Sequence, residues 1–106
     1  MRYVLNSPVL TGYGSWVFSG PLSVAQAREF LSAGKFCSAI GHESTAELLS
    51  RLLQLDIPFH RQAVVMAPGD DALVFRLHDR LPEGQLLTLS SLASLPHEFG
   101  VLKRVG

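Results

Sequence analysis

Three features of the sequence predict an α/β (α+β) fold, one mixed β-sheet flanked by helices in a single domain. Apolar residues recur at helical spacing in two stretches, 23–34 and 44–55, each opened by a Ser-x-x-Gln or Ser-x-x-Glu capping pattern. Strand-like runs lie before, between and after them, in the order β-β-α-β-α-β-β-(α)-β. The chain is 106 residues long, which makes 1–106 one domain.

Residues 2–5 form the first strand, ended by Asn6, Ser7 and Pro8, and 9–14 is a turn-rich loop. Residues 15–19 read as a second short strand, which Gly20-Pro21 breaks. Ser23 and Gln26 cap the first helix. Val24, Ala27, Phe30 and Leu31 make its apolar stripe, and Gly34 stands at its C-terminal end. Residues 36–40 are expected to form the central strand. After Gly41, Ser44 with Glu47 caps a second helix over 45–55, whose Leu48, Leu49, Leu52 and Leu53 face the core. Residues 57–61 lead into a strand at 62–66. Pro68-Gly69-Asp70-Asp71 then turns into a hairpin partner at 72–78. Along that partner Leu73, Phe75 and Leu77 face one way, and Ala72, Val74, Arg76 and His78 the other. Residues 79–84 form a turn around Pro82, 89–95 a short helix or turn, and 98–104 the last strand.

Composition narrows the function. Nine basic and nine acidic residues give a net charge of zero, which argues against a duplex-binding surface. Charged residues are 17% of the chain and apolar ones 47%, whereas ordinary soluble domains carry about 25% charged residues. No apolar run is long enough to span a bilayer, so the apolar excess predicts a homodimer rather than a membrane protein. The single Cys37 excludes a disulfide framework and predicts a reducing, cytoplasmic compartment. Histidines at 42, 60, 78 and 97 are scattered, so no metal site is expected. There is no phosphate-binding Walker loop or dinucleotide fingerprint, and no cofactor is expected.

The stretch 36–45 carries the main functional idea. Strand, glycine turn and helix N-terminus in succession form a common anion-binding arrangement, because the first helical N–H groups lack internal partners. His42 stands at that mouth. Each residue also has a purely structural use: Gly41 for the turn, Ser44 for the cap, His42 satisfied by backbone. Arg61, Arg76, Arg80 and Glu83 complete a set suited to metal-free phosphodiester chemistry. Arginine binds phosphate bidentately, histidine gives or takes a proton near neutral pH, and glutamate orients or accepts. Pro82 and Gly84 bracket a segment, 78–84, expected to close over a ligand, with a solvated loop as the structural alternative.

Ser38-Ala39-Ile40-Gly41-His42-Glu43-Ser44-Thr45, followed by His60-Arg61 and by Arg80-Leu81-Pro82-Glu83-Gly84, resembles the viral ring nuclease family. These are type III anti-CRISPR proteins first seen in archaeal viruses, with relatives in phages and bacterial CRISPR loci. The resemblance runs from Leu5-Asn6 to about Arg104 and is weakest between Leu10 and Leu22. It implies a homodimer that binds cyclic tetra-adenylate across its two-fold axis and cuts it, without metal, to linear di-adenylates, switching off type III CRISPR signalling. It further implies catalytic roles for His42, Arg80 and Glu83, and ligand contacts from Asn6, Ser7, Gly41, Ser44, Thr45 and Arg61. Two other readings stand beside it: a protein that sequesters a cyclic oligonucleotide without cutting it, and a small inhibitor that docks on a host protein through its apolar surface.

Overall fold

The computed structural model describes residues 1–8, 10–77 and 97–106. The elements are β1 (Arg2–Leu5), β2 (Trp16–Leu22), α1 (Val24–Ser32), β3 (Cys37–Ser38), α2 (Glu43–Leu53), β4 (Asp71–Leu77) and β5 (His97–Arg104). They build a mixed five-stranded sheet in the order β2-β5-β4-β1-β3. β1 lies parallel to both β3 and β4, while β5 runs antiparallel to its neighbours β4 and β2.

Alternation along β1, β4 and β5 sorts the core into two layers. Val4, Leu73, Phe75 and Phe99 pack with Ala27 and Leu31 of α1 and Leu48, Leu49 and Leu53 of α2. Leu5, Ala72, Val74 and Leu102 face the other way and meet Met66, with Trp16 and Val64 alongside. Both α1 and α2 therefore cover one face, and among the described residues no helix covers the other. The facing expected along residues 72–77 is the one observed.

Four expectations need correction. Residues 36–40 do not form the central strand: only Cys37–Ser38 is strand, and it is an edge. Beyond it comes a single bridge, Ile40 to Phe59, and Pro58 has no N–H with which to extend a ladder. Residues 62–66 are not a strand either. β4, with Ala72 to Phe75 all buried, is flanked by β1 and β5, so no edge is left for a hairpin partner. β2 does not stop at Gly20-Pro21 but continues to Leu22 through a register shift after Ser19. At Gly20 (φ +151°) a Cβ would stand 3.0 Å from the carbonyl oxygen of Phe99, which explains glycine there. The cap of α2 is the fourth correction and belongs to the site below.

The amino-terminal ends of β1 and β4 are riveted together. Arg2 makes two 2.9 Å bonds to the Asp71 carboxylate, donates a third to the Phe30 carbonyl, and lies 3.7 Å over the Phe30 ring. In the turn before β4, the Ala67 N–H and the N-terminal ammonium hold the Asp70 carboxyl below the usual carboxylate range. α1 carries the expected box, Ser23 with Gln26, and ends at Ala33, so Gly34 is not needed for a left-handed turn. α2 ends differently, at Gln54 with φ 53° and ψ 41°. Glycine adopts that conformation without strain, so Gln54→Gly is expected to raise the unfolding free energy by about 0.5–1 kcal/mol in urea titration. An unchanged or lower midpoint would refute this.

Candidate functional site

β1, β3 and β4 are parallel, so their carboxyl ends open at one edge of the sheet, the usual place for a ligand in sheets with parallel strands. β2 shares their direction through β5, and both helices begin at this edge. The two N-termini differ. In α1 the Gln26 N–H donates to the Ser23 hydroxyl at 3.1 Å and the Ser23 N–H to the Gln26 side chain at 2.9 Å, which satisfies two of the unpaired donors. In α2 the N-cap is His42, not Ser44, and its side chain makes no capping bond.

The reason for this early start is visible in the core. The Ala46 N–H donates to the His42 carbonyl at 3.0 Å, while Thr45 and Ala46 are already buried. That burial fixes the first turn at Glu43, placing Ser44 inside the helix, where it cannot cap. The consequence is chemical: the amides of α2's first turn have no side-chain cap, and the exposed imidazole of His42 stands beside them.

Arg61 reaches the same mouth from another segment. After α2 the chain turns back. The Ser50 hydroxyl bonds both the N–H and the carbonyl of Ile57, at 3.0 and 3.1 Å. The His60 N–H then donates to the Ile40 carbonyl at 3.0 Å. Arg61 follows, exposed, with its Cγ 3.5 Å from where a Cβ at Gly41 would stand. The arginine stem thus lies next to Gly41, directly before His42.

Asn6, half-buried, and Ser7, exposed, follow β1 at this edge. The fold therefore gathers Asn6, Ser7, Gly41, His42, Ser44, Thr45 and Arg61 from three segments. Thr45 is 6% exposed, so what it offers a ligand is its backbone N–H rather than its hydroxyl. Arg76 is not part of the group; it pairs with Glu98 at 3.2 Å. Arg80 and Glu83, the closing segment 78–84 and the element at 89–95 lie outside the described residues. Phe59, 47% exposed beside Arg61, is a residue the sequence analysis gave no role. Its signal was Pro58-Phe59-His60-Arg61, an aromatic ring close to a guanidinium, a combination suited to nucleobases and phosphate.

Among the described residues no three His, Cys, Asp or Glu side chains cluster for a metal ion. The Cys37 thiol sits at the far end of β3, 3.8 Å from the Met1 sulfur. No helix among the described residues is long and apolar enough to cross a membrane.

Four known relatives or families resemble the chain. The model of the STIV B116-like family matches residues 2–99. Uncharacterized protein 26 of Sulfolobus islandicus filamentous virus is 34% identical over 109 aligned positions, a match that covers 99% of this chain and 92% of that one. Uncharacterized protein YddF of Bacillus subtilis is 32% identical over 103 aligned positions, a match that covers 95% of this chain and 94% of that one. Among solved structures, B116 of Sulfolobus turreted icosahedral virus superposes with a TM-score of 0.86 at 22% identity, over 97% of this chain and 98% of its own, a likeness of fold.

Proposed function

We propose, since the chain belongs to the STIV B116-like family, that it is a metal-independent ring nuclease which cleaves cyclic tetra-adenylate to linear di-adenylates and so switches off type III CRISPR signalling. The observation that carries the reading is the mouth of α2: an exposed histidine at an uncapped helix N-terminus, with the stem of Arg61 against Gly41. The sequence resemblance supplies the substrate. Relatives in archaeal viruses and in a bacterium are the distribution that resemblance implies.

The chemistry is internal transesterification. The ribose 2′-hydroxyl gives up its proton to solvent water and attacks the adjacent phosphorus, a 2′–O–P bond forms, and the P–O5′ bond breaks. Arg61 and the first-turn amides of α2 hold the phosphate oxygens. His42 gives its proton to the departing O5′, so each cut leaves a 2′,3′-cyclic phosphate and a 5′-hydroxyl. Glu83 and Arg80 complete the set on the sequence resemblance alone. Incubation with labelled cyclic tetra-adenylate in EDTA tests the reading. Linear products support it. A mobility shift without products favours the sequestering protein, and neither outcome favours the host-protein inhibitor.

A ring of four identical nucleotides has two-fold symmetry, and a C2 homodimer offers it one set of residues per half. The side of the sheet that neither α1 nor α2 covers suits the second copy. There Val65, between the inward-packed Val64 and Met66, is 74% exposed, and Phe18 is 48% exposed over Gly100. Val65→Glu is expected to convert a dimer to a monomer in light scattering at micromolar concentration. A wild-type monomer would sink the dimer, and a dimeric variant would move the interface to another face.

A further inference from the structure

We infer that Ser38 is a positioning residue for the site, acting through Gln62 and Pro58 to hold Arg61 in place; the role rests on the phosphate-binding reading of Arg61 given above. Ser38 is one of two buried polar residues in the described part of the chain, 4% exposed, at the end of the short edge strand β3. Its hydroxyl donates to the Pro58 carbonyl at 2.6 Å and lies 3.4 Å from the Ile40 N–H. Its backbone carbonyl accepts from the Gln62 side-chain amide at 2.8 Å. One residue thus fastens the segment 58–62 at both ends, and the His60 N–H to the Ile40 carbonyl fastens its middle.

This clamp replaces a strand ladder. Beyond β3 the backbone makes one isolated bridge, Ile40 to Phe59, and Pro58 supplies no N–H to a second. Three exposed side chains, Phe59, His60 and Arg61, depend on that short tether. An arginine holds a phosphate well only if little freedom is lost on binding, so ordering the backbone beneath it beforehand raises affinity. Ser38 never touches the ligand; its effect passes through the placement of Arg61.

The test is a double-mutant cycle read by calorimetric binding of cyclic tetra-adenylate. Gln62→Met keeps the side-chain length and removes the donor at an exposed position, so the fold survives. Ser38→Ala removes the other bond, and Ser38→Thr restores a hydroxyl. Loss of one hydrogen bond's worth of order predicts about fivefold weaker binding for Gln62→Met and for Ser38→Ala, with recovery in Ser38→Thr. In an Arg61→Ala background the same changes are expected to cost nothing further, a non-additivity that general destabilisation does not produce. Amide exchange at His60 and Arg61 in the nucleotide-free protein should accelerate in Gln62→Met. Additive losses, or unchanged exchange, overturn the role of Ser38. Wild-type protein that leaves cyclic tetra-adenylate unbound overturns the functional reading and, with it, this role.

Discussion

His42→Ala protein should bind cyclic tetra-adenylate about as tightly as wild type and cut it at least ~100-fold more slowly, the low end of general acid–base catalysis. The proton reaches O5′ only as the P–O5′ bond breaks, so the contribution of the imidazole belongs to the transition state and ground-state binding survives its loss. The fold predicts that the substitution is otherwise harmless. His42 is the N-cap of α2, yet its side chain makes no capping bond and is exposed, so alanine removes no structural contact of that kind. Single-turnover kinetics are the right measurement, because slow product release would mask a change in the chemical step. Equal affinity loss with an unchanged chemical step would make His42 a binding residue and sink the mechanism.

Arg61→Ala should show the opposite pattern: binding weakened about 10–100-fold, the range expected for a lost charge-assisted hydrogen bond, with a smaller change in the rate of the bound complex. The guanidinium meets the phosphate before any bond breaks, so its loss appears first in affinity. Arg61 is exposed and its stem touches Gly41 at the surface, so the variant should unfold at the wild-type urea midpoint. Calorimetry together with single-turnover rates at saturating ligand separates the two effects. Wild-type affinity in Arg61→Ala would remove it from the phosphate site, and the Ser38 clamp would then serve only the fold.

Local features were legible in the sequence because local physics sets them. The Ser23–Gln26 capping box, the leucine stripe of α2 and the alternation along β4 all appear where spacing places them. Val64 and Met66 misled for an instructive reason. They alternate with exposed Val65 as strand residues do, but they pack on the face of the sheet instead of pairing at its edge. Alternation reports one-sided burial and says nothing of hydrogen-bond partners. The Ser44–Glu47 box misled because burial of Thr45 and Ala46 starts the helix earlier than the capping template does. Within the site, the approach to His42 followed from the strand–turn–helix pattern. The arrival of Arg61 at Gly41 did not, since it depends on Ser38 holding a segment twenty residues away.

The place of β1 in the sheet has a consequence for how the chain reaches its native state. The earliest strand in the sequence lies between β3 and β4, and its longest pairing, Arg2 with Asp71 through Leu5 with Val74, joins positions 69 apart. Loop closure across that distance must precede any reward from the ladder. The apolar stripes of α1 and α2 have no complete surface to rest on until β4 lies beside β1. As the polypeptide emerges from a ribosome, a nascent chain that has not reached residue 71 holds β1 against only the two residues of β3. The full sheet can therefore form only once the carboxyl-terminal third of the chain is available.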